Sequence, residues 1–268
     1  MKYLGLLFIS SVMLLNCQKQ EPQWESIFNG KDLSGWDIKV SGYPMNENPK
    51  NYFKVIDSSI VANYAEFDTF THEYGHLYYH IPYSFYKLKM KYRIFGEHVP
   101  GVPDYAYNNS GVMLHSQSAA EQELDQNFPI SIEMQFLSAL DANPRASGNL
   151  ASPGTHVMVN GKLHTDHMLY CNGATYGDEW VDAEAVVLGD SVVYHIINGD
   201  TVLTYNKPII GGWEKDNEVG WIKDKTWVKK MVNTPLKKGY IALQAEGQPV
   251  EFKDIQIMDL SSLYSKDK

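Results

Sequence analysis

"THEYGHLYYHIPYSFYKLKMKYRIF", residues 71–95, decides the fold. Its opening holds His72, Glu73 and His76 in H-E-x-x-H spacing, with His80 four residues further on. That spacing serves zinc chemistry only on a helix, where i and i+4 side chains stack and the Glu acts as general base. A helix is disfavoured here: Gly75 interrupts it, Pro82 stops it just after His80, and weak helix formers fill the rest. From Tyr86 to Phe95 the chain alternates apolar residues with Lys and Arg, the period of a half-buried strand. As a strand, His76, Tyr78 and His80 share one face, and His72 and Glu73 fall in the loop before it. The zinc-protease reading is set aside.

The same alternation recurs in "YFKVIDSSIVANY" (52–64), "GVMLHSQ" (111–117), "ISIEMQFL" (130–137), "EAVVLGDSVVYHIINGDTVLTY" (184–205), "GYIALQAEG" (239–247) and "VEFKDIQIMDL" (250–260). Asn198-Gly199 is a strong signal for a tight hairpin. Only 116–127, "SQSAAEQELDQN", suggests a helix, a short one on the surface. The expected fold is therefore all-β, an antiparallel two-sheet sandwich or jelly roll. Tyr and Trp are plentiful, at 18 and 6 of 268 residues, and suit both strands and stacking on sugar rings. A formal charge of −9 with no basic cluster argues against nucleic acid as a partner.

Residues 1–17, "MKYLGLLFISSVMLLNC", read as a signal peptide: Lys2, then an apolar run too short to span a bilayer comfortably. Cys17 after Leu14-Leu15-Asn16 resembles a bacterial lipobox, which predicts lipidation at Cys17 and a bacterial cell-envelope location. Residues 18–23 are then a polar tether and 24–262 a single jelly-roll domain. Ordinary secretion is the alternative. With Cys17 lipidated, Cys171 stands alone and reads as a small buried hydrophobe.

Strand parity assembles a candidate site. In "ISIEMQFL", Glu133 and Gln135 face away from Ile132, Met134 and Phe136. In "GYIALQAEG", Gln244 and Glu246 face away from Ile241, Leu243 and Ala245. His115 has the parity of Met113 and Gly111, with Gln117 two residues on, and His195 alternates with Val193 and Ile197. On one concave face these side chains would make an acid/base and hydrogen-bonding set for a polyhydroxylated ligand. The plainer reading of each is a solvated sheet face. His156, His164, Asp166, His167 and Cys171 match no standard zinc spacing and read as a long loop with surface histidines. Residues 141–175 lack clear periodicity and are either a rim over the site or a decoration.

"WESIFNGKDLSGWDI" (24–38), "NSGVMLHSQ" (109–117), "ISIEMQFL" (130–137), "GDEWVDAEAVVLGDSVVYHIINGDTV" (177–202) and "GYIALQAEGQPVEFKDIQI" (239–257) resemble, in order, the blocks of the 3-keto-disaccharide hydrolase domain family. The resemblance spans residues 24–258. It implies a concanavalin-like jelly roll, a sugar-binding concave face, and action on glycosides already oxidised at C3. Many members carry Arg at the place of His115, His at Glu246 and Arg at Lys253.

A ketone at C3 acidifies the C2 hydrogen, so a base can remove it and the C1 substituent is expelled; water can then add back. The expected roles are Glu133 or His115 as base, Glu246 as acid, and Gln135 and Gln244 as orienting groups. Gln117, Trp180, Tyr107 and His195 are candidate substrate contacts, with Tyr105 beside Tyr107 on the rim. No cofactor is required by the sequence, although a divalent metal ion at the enolate is compatible with it. The alternatives are a two-carboxylate glycosidase built on Glu133 and Glu246, and a carbohydrate-binding module without turnover.

Overall fold

The computed structural model describes residues 21–139, 145–211 and 225–264. The predicted signal peptide and Cys17 lie outside them. Among the described residues the strands form two antiparallel sheets packed face to face, a concanavalin-like jelly roll.

The seven-stranded sheet contains β2 (Trp36–Val40), β5 (Gly75–Tyr83), β7 (Asn109–Ser116), β8 (Ile132–Leu137), β9 (Leu150–Ala151), β12 (Met168–Leu169) and β16 (Gly239–Ala245). Its order is β12-β9-β8-β7-β16-β5-β2. The ten-stranded sheet contains β1 (Glu25–Ser26), β3 (Phe53–Ile56), β4 (Ser59–Ala62), β6 (Phe85–Ile94), β10 (Thr155–Val159), β11 (Lys162–His164), β13 (Val181–Leu188), β14 (Val192–Ile197), β15 (Asp200–Ile210) and β17 (Val250–Asp259). It runs β11-β10-β15-β14-β13-β6-β17-β4-β3, with β1 against β17.

The alternation of β6 is realised residue by residue. Tyr86, Leu88, Met90, Tyr92 and Ile94 point into the sandwich, and the intervening Lys and Arg face out. From the other sheet Val112, Met134, Phe136 and Leu243 meet them in one core. Tyr92 and Phe136, one from each sheet, stack with centroids 4.0 Å apart. Burying side chains of this size contributes about 1.5–3 kcal/mol each, which is what holds the sheets together. The hairpin between β14 and β15 turns at Asn198 (φ 48) and Gly199 (φ 88), both in the left-handed region that such a turn needs.

The zinc-like stretch is strand. His76 is buried on β5, and His80 is exposed and bonded to the Gly35 carbonyl. Glu73 spends its carboxylate on the Thr71 backbone N–H at 2.6 Å and the Thr71 hydroxyl at 2.5 Å. Pro82 sits beyond the end of the β2 pairing, where the ladder to β16 slips register, so its missing N–H costs no ladder bond.

One expectation needs correction and one open alternative is resolved. The helix expected over 116–127 is a single 3-10 turn at Ala119–Glu121, started by a capping box between Ser118 and Glu121. It ends when Gln122 turns extended, at ψ 139. Residues 145–175 are no mere decoration: β9 and β12 widen the seven-stranded sheet and wall one side of a cleft, while β10 and β11 join the other sheet. Residues 140–144 lie outside the described residues.

Candidate active site

The outer face of β7, β8 and β16 is the floor of the site, and register decides who meets whom. Glu133 stands opposite Met113, Gln135 opposite Gly111, Gly111 opposite Gln244, and Gln244 opposite His76 on β5. Gly111 is required by close approach. A Cβ there would lie 2.9 Å from Glu133 Cγ and 3.0 Å from Cδ, so the absent side chain is what lets the carboxyl fold across β7.

Glu246 lies just past the end of β16, where hydroxyls hold the turn. Tyr52 donates to the Ala245 carbonyl at 3.1 Å, and the Gly247 N–H donates to the Tyr64 hydroxyl at 2.7 Å. Gly247 has φ +87, and a Cβ there would also run into Val102. Asn109, first residue of β7, donates its amide to Glu246 Oε2 at 2.7 Å. The Arg145 guanidinium is tethered to the Tyr105 carbonyl at 3.2 Å and to the Tyr107 carbonyl, within electrostatic reach of Glu246.

Above this floor opens a cleft of about 820 Å3, lined by Tyr105, Asn109, Phe128, Glu133, Gln135, Arg145, Glu246 and the wall from β9 and β12. Both carboxyls are buried, Glu133 to 4% exposure and Glu246 to 2%. Burial pushes the Glu246 pKa up to about 8, with the Arg145 cation drawing it back. Burial also holds Glu133 well above the usual carboxylate range, and the nearby Glu246 charge adds to this; the Gln244 amide partly offsets it. The two sites differ in kind. Glu246 has a hydrogen-bond donor and a cation, whereas Glu133 Oε1 has no protein partner. Glu246 is therefore the group that ionises first.

Other polar atoms on this face also lack protein partners: Asn109 Oδ1, Gln135 Oε1, Gln244 Oε1 and His76 Nε2. A buried polar atom without a partner costs about 1–3 kcal/mol, and hydroxyl groups can satisfy such atoms.

The structure thus brings Glu133, Gln135, Gln244 and Glu246 together. It places the other expected residues elsewhere. His115 does not share the face of Met113, because β7 carries a bulge: Leu114 and His115 together oppose Ile241. His115, at φ 50, turns between the sheets, where Nε2 meets the Gly189 carbonyl at 3.2 Å and the ring packs edge-on against Tyr86. His195 is a core residue of the ten-stranded sheet, its nitrogens each 2.9 Å from the Gly148 carbonyl and the Tyr205 hydroxyl. Gln117 braces the 117–130 loop through Gln126, at 2.9 Å, and the Ile130 N–H, at 3.2 Å. Trp180 lies on the outer face of the ten-stranded sheet with Lys253 over its ring, 3.7 Å from the centroid. Tyr107 stacks its ring on His98 and offers the site only its carbonyl, whereas Tyr105 does line the cleft.

Asn109, Arg145 and Phe128 were not anticipated. Asn109 had a signal, the parity of Gly111 and Met113 two and four residues on. Arg145 had none, since it sits in an aperiodic segment. Among the described residues no three His, Cys, Asp or Glu side chains group as a metal ion would require, and the histidines of 156–167 are no exception.

Known structures share the architecture. A candidate glycosyl hydrolase from Parabacteroides distasonis superposes with a TM-score of 0.52 at 18% identity, over 88% of this chain and 94% of that one. A second structure from the same organism, likewise described as a candidate glycosyl hydrolase, gives 0.52 at 16%, over 89% and 100%. At such identities the likeness establishes the fold alone. No curated protein matches the sequence. The match that reaches beyond architecture is to a family, over residues 23–258, which takes in both sheets and both buried glutamates: this chain belongs to the 3-keto-disaccharide hydrolase family, described as a 3-keto-alpha-glucoside-1,2-lyase-like domain.

Proposed function

We propose that the protein cleaves 3-keto-glycosides by base-assisted elimination across C2 and C1, with water then adding to give net hydrolysis. The observation that carries this reading is the pair of buried carboxyls, Glu133 and Glu246, in unequal environments on the floor of the cleft. A base poised near pH 8 suits removal of a hydrogen acidified by the adjacent ketone.

The environments favour the reverse of the roles that the sequence suggested. Glu246, supported by Asn109 and Arg145, is the group that ionises and takes the C2 proton. Glu133, kept protonated by burial, holds the proton that the departing C1 oxygen needs. The electron pair of the C2–H bond becomes the C1–C2 double bond as the C1–O bond breaks. Arg145 is the cation available to the negative charge that develops on the C3 oxygen. The unpartnered atoms of Gln135 and Asn109 suit ring hydroxyls.

A paired assay tests this, offering a glucoside and its 3-keto derivative side by side, each with and without chelator. The proposal expects aglycone release from the keto substrate alone. Release from the plain glucoside would put a two-carboxylate glycosidase in its place, and binding without release from either would leave a carbohydrate-binding module. Loss of activity with chelator would add a metal that the described residues do not group to hold. We also propose the lipid anchor at Cys17; palmitate labelling that survives Cys17→Ala would refute it.

A further inference from the structure

We infer that the cleft is shaped for glycosides with an apolar or aromatic aglycone, which rests on a platform of Ala151, Pro153, Met168 and Tyr170. This deepens the proposed function, since it takes Glu133 and Glu246 as the reacting pair.

Glu133 pairs with Ala151 and Ala151 with Met168, so the three form one row across β8, β9 and β12. Neighbouring strands lie about 4.8 Å apart, so the Met168 backbone is about 10 Å from that of Glu133 along the row, with the Glu133 carboxyl leaning the other way over Gly111. In the other direction the row continues through Met113, Ala242 and Tyr78. That side is closed: these residues are buried as a cluster with Ala119, and Gln122 donates to the Tyr78 hydroxyl above them. Along this row, among the described residues, an aglycone leaving the site of Glu133 therefore lies over β9 and β12.

The chemistry of the two halves differs. The half that holds Gln135, Asn109, Glu246 and Arg145 offers unpartnered oxygens and a guanidinium to ring hydroxyls. The platform offers a methyl, a pyrrolidine ring, a thioether and the phenol ring of Tyr170, which stands 74% exposed at the mouth. Asn149 beside them is already committed, accepting from the Cys171 N–H at 2.8 Å and donating to the Ala146 carbonyl at 3.0 Å. His167 is the polar exception on that wall. A second sugar placed here would turn hydroxyls towards Ala151, Pro153 and the Met168 thioether, which receive them poorly, whereas a phenyl or alkyl group would shed water there at no such cost. Met168 adds the sulfur contact that aromatic rings favour.

The test uses the full-length protein and two 3-keto-glucosides of one anomeric configuration, a benzyl glucoside and a disaccharide. Both release an alcohol, so leaving ability is matched. The inference expects kcat/KM to favour the benzyl substrate by about tenfold or more. It expects Tyr170→Ser, alone and with Met168→Thr, to erase that preference by raising KM for the benzyl substrate more than for the disaccharide. Equal or better use of the disaccharide, or a preference that survives both substitutions, would overturn it. Turnover of neither substrate would sink the proposed function but not decide the platform; calorimetry with the unoxidised glycosides then does. Tighter binding of the benzyl glucoside, lost in the variants, sustains the platform. Equal binding, or none, overturns it.

Discussion

Gly111 governs where Glu133 can go. Its Cα lies under the carboxylate stem, and any Cβ would force Glu133 off its present course. Gly111→Ala should therefore lower kcat/KM by about a hundredfold, because misplacing a reacting group by about 1 Å has that effect. Overpacking should cost stability only about 1–3 kcal/mol, so the protein should remain folded by circular dichroism. Wild-type activity in that variant would show that Glu133 is not a reacting group. Arg145 acts on Glu246 at a distance, as the cation that pulls down a pKa raised by burial. Arg145→Gln should move the acidic limb of the kcat/KM profile to higher pH, since the base then ionises later, and Arg145→Lys should restore part of the shift. An unmoved limb would mean that Glu246 is not the titrating base.

At the scale of strands, parity reads the site well until a strand breaks its own period. Glu133, Gln135 and Gln244 were legible because β8 and β16 keep alternating as far as those residues, and Glu246 because it follows directly on the end of β16. His115 was misplaced because the bulge in β7 inserts one residue, which turns the ring from the cleft to the core. The visible partner of the bulge is Gly239, whose Cβ would lie 2.5 Å from the His115 carbonyl oxygen and 2.6 Å from its Cα. That need is tertiary, and nothing local to "GVMLHSQ" announces it. The wall was illegible for another reason: β9 and β12 are two residues long, too short to show a period. The correction is testable. His115→Gln should cost about 1–3 kcal/mol in chemical denaturation, through lost packing on Tyr86 and the altered contact with Gly189. It should leave kcat/KM within about threefold. A collapse of kcat at unchanged stability would return His115 to the reacting set.

Over the whole molecule, the buried titratable groups set how stability follows pH. Burial lowers the folded-state pKa of His76 to about 3 and of His115 and His195 to about 4, against 6.5 for an exposed imidazole. Below pH 6.5 the unfolded chain binds more protons at these histidines, so their part of the stability grows as pH rises to about 6.5. Glu246 and Glu133 act oppositely. Raised in the folded state, they keep protons that the unfolded chain sheds above about pH 4.5, so both lower stability as pH rises past that point, Glu246 up to about pH 8. Between about pH 6.5 and 8 the three histidines no longer contribute, and Glu246 removes up to about 1.4 kcal/mol per pH unit while it stays protonated. Stability should peak near about pH 6 and fall above it, and Glu133→Gln with Glu246→Gln should flatten that fall. A wild-type protein equally stable at pH 6 and 8 would mean that the carboxyls are not buried as described. The same two groups carry the proposed chemistry, and the most direct measurement is aglycone release from a 3-keto-glucoside carrying deuterium at C2, by the wild type and by Glu246→Gln. The account predicts a primary isotope effect in the wild type and loss of release in the variant. Release without an isotope effect, or undiminished in Glu246→Gln, would contradict proton abstraction at C2 by Glu246.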